Sequence, residues 1–174
     1  MKAKNINVGR GHVDSPAKKL VRLDVFETAQ RILNGRFTEG TFLGLSSKEA
    51  GDYGTLTGLG VEPRNITMCD VDELAVADAK ARWFPGITVL HDDILNVVKN
   101  KKYSGGAWLM INYDTCAPLR DDTPDNVLKL AMNVEENGIL CCWFLAGREN
   151  GGTMEDIKAM EGLLRDCLTD KATK

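Results

Sequence analysis

Thr41–Asp72 reads TFLGLSSKEAGDYGTLTGLGVEPRNITMCDVD, and this stretch decides the fold. Thr41-Phe42-Leu43-Gly44-Leu45 is a short apolar run, the mark of a buried strand. Ser46-Ser47 ends it, and a segment carrying Gly51, Gly54, Gly58 and Gly60 follows. A second apolar run, Asn65-Ile66-Thr67-Met68-Cys69, stops on Asp70. The order is strand, glycine-bearing turn and helix, strand, acid. Two parallel strands joined in this way leave a crevice at their carboxyl ends, where a turn approaches a ligand and an acid binds ribose hydroxyls. Asp70 stands about 26 residues after Gly44, near the spacing of roughly 20 expected of a ribose acid.

Working outward, the same alternation continues. Ser15-Pro16 opens a helix, with a capping residue followed by proline at the first helical position. Leu20, Leu23, Phe26, Ala29 and Leu33 recur at helical spacing, and Gly35 closes it. Ser46-x-x-Glu49 is a capping-box pattern for a helix to about Leu59. Gly51 and Gly54 within that helix cost roughly 1 kcal/mol each against alanine, so they imply close approach by a ligand or by a packed neighbour, strand four being the candidate. Asp72 caps a helix to Phe84 whose apolar face is Leu74, Val76, Ala77 and Ala81, and Pro85-Gly86 stops it. Ile87–Leu90 is a third strand, ending in His91-Asp92-Asp93. Asp93 precedes Ile94, Leu95, Val97 and Val98 and so also reads as an N-cap. His91 reads as structural, with no nucleophile beside it in sequence.

Ala107–Asn112 is a fourth strand, apolar on both faces as a central parallel strand is. Tyr113-Asp114-Thr115-Cys116-Ala117-Pro118 follows. Thr123-Pro124 starts a helix running to Gly138, Ile139–Leu145 is a fifth strand, and 146–152 is a glycine-bearing loop holding Arg148 and Glu149. Thr153 caps a last helix. The expected fold is α/β, a three-layer α/β/α sandwich around a parallel five-stranded sheet of order 3-2-1-4-5, Rossmann-like. Residues 1–15 read as a flexible basic tail and 16–174 as one domain.

The layout from Phe37 to Ala146 resembles the class I S-adenosylmethionine-dependent methyltransferases. That family has a glycine-bearing loop after strand one, an acid ending strand two, an acid after strand three and a functional loop after strand four. Its first loop is an acid followed by closely spaced glycines, whereas Gly44-Leu45-Ser46-Ser47 stands here. The full family fold adds a sixth strand and an antiparallel seventh, for which no residues remain in these 174. The resemblance implies S-adenosylmethionine as cofactor, with Gly44, Ser46 and Gly51 at its methionine end, Asp70 at the ribose and Asp92 at the adenine. It places Asp114 beside the methyl acceptor, where a carboxylate orients the acceptor or removes its proton. The alternative for Asp114 is a turn residue bonding its own backbone. Cys116 lacks the proline and glutamine that flank cysteine nucleophiles of cytosine-carbon methyltransferases.

Composition narrows the rest. Of 174 residues, 43% are hydrophobic and 27% charged, with a net charge of −3. No segment is apolar enough to span a bilayer. Five cysteines without a CxxC spacing point to a reduced, cytoplasmic protein with no metal site. The net charge provides no global field for nucleic acid, while Lys2, Lys4, Arg10, Lys18, Lys19 and Arg22 concentrate positive charge near the N-terminus and lean the acceptor toward nucleic acid. The competing reading is a binding module or partner subunit that has the fold without the chemistry. A dinucleotide-dependent oxidoreductase is disfavoured by the missing GxGxxG.

Overall fold

A computed structural model describes residues 15–46, 51–82, 86–118 and 122–145, with Lys158 and Gly162, both helical. Side chains at 116–118, 144 and 145 are not described. The elements are α1 (Pro16–Leu33), α2 (Arg36–Glu39), β1 (Phe42–Leu45), α3 (Gly51–Gly58), β2 (Ile66–Asp70), α4 (Glu73–Ala81), β3 (Thr88–His91), α5 (Ile94–Val97), α6 (Lys101–Ser104), β4 (Trp108–Pro118), α7 (Thr123–Ala131) and β5 (Val134–Leu145). The five strands form one sheet of order β3-β2-β1-β4-β5, and every pairing is parallel. The chain order therefore reverses between β1 and β4, as expected.

Side chains alternate between the two faces of a strand, and the core divides accordingly. Phe26, Ala29 and Leu33 of α1, Leu56 of α3, Phe42, Ile66, Met68 and Met110 pack on one face. Leu43, Cys69, Trp108 and Ile111 pack on the other with Ile94 and Val97 of α5 and Leu130 of α7. The caps read from sequence are present. Ser15 Oγ accepts from the Lys18 N–H at 3.1 Å, Asp72 Oδ1 from the Leu74 N–H at 2.9 Å, and Asp93 Oδ1 from the Leu95 N–H at 2.7 Å.

Several expectations need correction. The face that α1 buries is Arg22, Phe26, Ala29 and Leu33, while Leu20 is 69% exposed and Leu23 also faces out. The spacing 22, 26, 29, 33 follows one helical stripe, and it carries a cation at one end. In α4 the buried residues are Ala75, Val76 and Ala79, and Leu74 is exposed. β4 does not stop at Asn112: its pairing with β5 carries it to Pro118, so Asp114 lies within the strand opposite Trp143. α7 ends at Ala131 rather than Gly138. β5 begins at Val134, and its register shifts before Ile139 through Asn137, whose φ is +59°. Arg36 holds this bulge, with Nη2 2.8 Å from Glu135 Oε1 and 3.2 Å from the Glu136 carbonyl. Glu49 of the expected capping box, the tail at 1–14, the loop at 146–152 and Thr153, the expected cap of the last helix, lie outside the described residues.

Candidate functional site

The sheet's registration collects the expected site residues at its carboxyl edge. Gly44 lies beside Met68 on β2 and Asn112 on β4. One step further toward the edge, Asp70 lies beside His91 and Asp114 beside Trp143. Parallel register and a period of two put Gly44, Asp70, Asn112, Asp114 and Trp143 on one face, the face covered by α1 and α3. Ser46, immediately after β1, is buried, and its N–H donates to the Cys69 carbonyl at 2.7 Å. Gly51 opens α3. An added Cβ at Gly54 meets nothing within 4 Å, so packing against a described neighbour does not account for that glycine.

The switch point between β1 and β4 is filled by side chains of the protein. Asp52, the second residue of α3, turns inward and is 7% exposed. Its Oδ1 lies 2.6 Å from Arg22 Nε, and its Oδ2 accepts from Asn112 Nδ2 at 2.6 Å. Asn112 Oδ1 in turn accepts from Trp143 Nε1 at 2.7 Å. Gly44 lets this carboxylate approach, because a Cβ there would stand 3.3 Å from Asp52 Oδ2 and 3.4 Å from Met68 Sδ. The space left beside Gly44 is a cavity of about 10 Å³, lined among others by Phe26, Met68 and Asn112, which is room for no more than a water. Burial pushes the Asp52 carboxyl up, and Arg22 and then the Asn112 amide pull it back. Next to the network, Lys18 Nζ pairs with Asp114 Oδ2 at 2.6 Å, both side chains being partly exposed.

The β2–β3 end differs. Asp70 is half-buried, and its Oδ1 accepts from the Asp72 N–H at 2.9 Å. Desolvation raises its carboxyl, opposed by the backbone bond from Asp72. Val71 is 68% and Leu74 74% exposed, so the residue that follows this acid and the first turn of α4 each carry an apolar side chain in solvent. His91 makes a 3.2 Å contact from Nε2 to the Val71 carbonyl, in line with a structural role. Asp92 is exposed and accepts from the Asp93 N–H at 2.8 Å and from Asn96 Nδ2 at 3.0 Å. These bonds hold its carboxyl below the usual range.

The described cysteines are not set up as nucleophiles. Burial raises the thiols of Cys69, Cys141 and Cys142, the last two to about 11 and about 12. A thiol so shifted is not a thiolate at neutral pH. The Cys116 side chain lies outside the described residues. Among the described residues, no group of three or more His, Cys, Asp or Glu is arranged to hold a metal ion. No described helix is long and apolar enough to cross a membrane.

The sequence reading gave Asp52 and Trp143 no role, counted Arg22 with the N-terminal cations although it is buried against Asp52, and assigned Asn112 no site role. One signal was available: Arg22 lies on the same helical stripe as Phe26, Ala29 and Leu33, where a cation needs a buried partner.

No protein-family model and no curated protein matches the sequence. Solved structures do match. One is SMU.776, described as a candidate methyltransferase and solved with S-adenosylhomocysteine (SAH), at 16% identity and a TM-score of 0.54; the match covers 79% of this chain and 38% of that one. A second is a candidate S-adenosylmethionine-dependent methyltransferase from Streptococcus mutans, at 16% identity, a TM-score of 0.55 and the same coverage. A third is a candidate rRNA methylase from Clostridium thermocellum, at 14% identity and a TM-score of 0.55, covering 82% of this chain and 77% of that one. The chain thus spans 38% of the length of the first two. The fold is class I methyltransferase-like.

Proposed function

We propose that the protein is an S-adenosylmethionine-dependent methyltransferase whose cofactor lies along the carboxyl edge of β1, β2 and β3. One observation carries this reading: Asp70 closes β2 at the edge, and the exposed apolar side chains of Val71 and Leu74 follow it in the chain. A carboxylate accepts from ribose hydroxyls, and apolar side chains next to it offer a surface for a base. Asp92 takes the adenine amino group, and Gly44, Ser46 and Gly51 lie toward the methionine end. The methyl donor arrives activated, so the protein's task is to align donor and acceptor. Asp114 stands on the acceptor side, across β1 from Asp70, where it orients the acceptor. The acceptor class we favour is nucleic acid, on Lys2, Lys4 and Arg10 near the N-terminus, since Lys18 and Arg22 pair with Asp114 and Asp52, and on the fold shared with an rRNA-methylase candidate.

A second reading has its own support. The switch point is occupied by Arg22, Asp52, Asn112 and Trp143, as suits a module that has kept the architecture and given up the chemistry. Thermal shift with S-adenosylmethionine, SAH, NAD and ATP separates the two. A ligand at 100 times its Kd adds about 2.7 kcal/mol, which is roughly 5–10 °C for a chain of this size. A shift with the first two alone supports the cofactor site; no shift with any of the four supports the module.

A further inference from the structure

The first two turns of α1 are attached differently from the rest of the helix. Beyond Phe26 the helix is held by buried apolar side chains. Before it, Leu20, Val21 and Leu23 are exposed, and two ion pairs tie the helix to β4 and to α3. Lys18 and Arg22, one helical turn apart on one face, reach Asp114 and Asp52 respectively. Lifting these turns would uncover little apolar surface. It would also return Arg22 and Asp52 to water, and regained hydration offsets much of the attraction lost when a buried pair parts.

We propose that the Arg22–Asp52 pair is a closed seat for the zwitterionic amino-acid end of the cofactor, with the start of α1 as the strap that opens it. The proposal rests on the cofactor reading above. The chemistry is an exchange of partners. Once parted, the guanidinium pairs with the ligand's α-carboxylate and the Asp52 carboxylate with its α-ammonium. Two charges that satisfied each other are then satisfied by one ligand group carrying both. The space beside Gly44 holds no more than a water while the pair is closed, so the strap must part to admit that group, and Asn112 keeps Asp52 in place through Oδ2. Lys18, one turn nearer the edge, secures the strap through Asp114.

The test is calorimetric titration of the full chain and its Lys18→Met variant with two probes. One is SAH, which carries the amino-acid end; the other is 5′-methylthioadenosine, which lacks it. Lys18 is partly exposed, so the variant keeps its fold, as circular dichroism will show. A partly exposed ion pair biases the closed state by up to about fivefold, and apparent affinity scales with the open fraction. Lys18→Met should therefore bind SAH about three- to fivefold more tightly and leave 5′-methylthioadenosine unchanged. Equal or weaker SAH binding by Lys18→Met, or an equal gain for both probes, overturns the proposal and leaves the adenosine site intact. No binding of either probe to either protein overturns the cofactor reading and the strap together.

Discussion

The two halves of the sheet's carboxyl edge are built on opposite principles. At β1–β4 the polar groups are buried and satisfied by one another, from Arg22 through Asp52 and Asn112 to Trp143. At β2–β3 the acid is half-buried, and apolar side chains after it stand exposed. The first half spends its hydrogen-bonding capacity internally; the second leaves surface for something else. The β1–β4 half thus turns its polar groups inward and the β2–β3 half leaves apolar side chains in solvent, although both occupy the same edge of one fold.

Substitutions will break this contrast if it is wrong. The largest effect falls on stability at the closed half. Arg22→Ala leaves a buried carboxylate without its cation and should cost about 3–5 kcal/mol in urea denaturation; a loss below about 1 kcal/mol would mean that water already reaches Asp52. At the open half, Asp70→Asn should weaken SAH binding about tenfold or more, since a hydrogen bond to a charged group contributes about 1.5–3 kcal/mol. It should not destabilise the chain at neutral pH. Asp70 has a raised folded-state pKa, so its contribution to stability is complete below the unfolded pKa and is lost as pH rises through the folded one. Removing the charge therefore leaves the neutral-pH chain at least as stable.

A smaller effect sharpens the comparison. Val71→Ser should change stability by no more than about 0.5 kcal/mol, as surface replacements do, yet reduce SAH affinity a few-fold; unchanged affinity would remove Val71 from the site. The smallest concerns Asp92, whose folded pKa lies below its ordinary 3.8. Its stabilising effect is present above that value and is lost as pH falls through the folded pKa. Asp92→Asn should consequently be slightly less stable than the parent at pH 6, with the gap closing under acid. A gap that persists in acid would point to a contact other than the carboxylate's.

Sequence alone made the sheet legible because its determinants are local. Apolar runs of four to six residues mark β1, β2 and β3, and Ser15, Asp72 and Asp93 announce the helices they cap. The C-terminal limits of β4 and α7 were not legible. Tyr113-Asp114-Thr115 looks like loop chemistry, and only pairing with Cys142 and Trp143 makes it strand. Val134 continues α7's apolar periodicity, but the chain leaves the helix two residues earlier and enters β5 through a bulge that Arg36 grips from the far side of the sheet. The site divided in the same way. Asp70 and Asp92 are proposed from their places after apolar runs. Asp52, 30 residues from Arg22 and 60 from Asn112, becomes meaningful only when three elements meet.

Trp143 gives the closed half an optical consequence. Its indole N–H ends the chain of polar contacts that begins at Arg22, so any event that separates α1 from α3 changes the field around that ring. Trp108, by contrast, is fully buried in the opposite layer and supplies a steady background. Trp83, the third tryptophan, lies outside the described residues, so it is the Trp143 share of the emission that should follow the state of the crevice without any added dye.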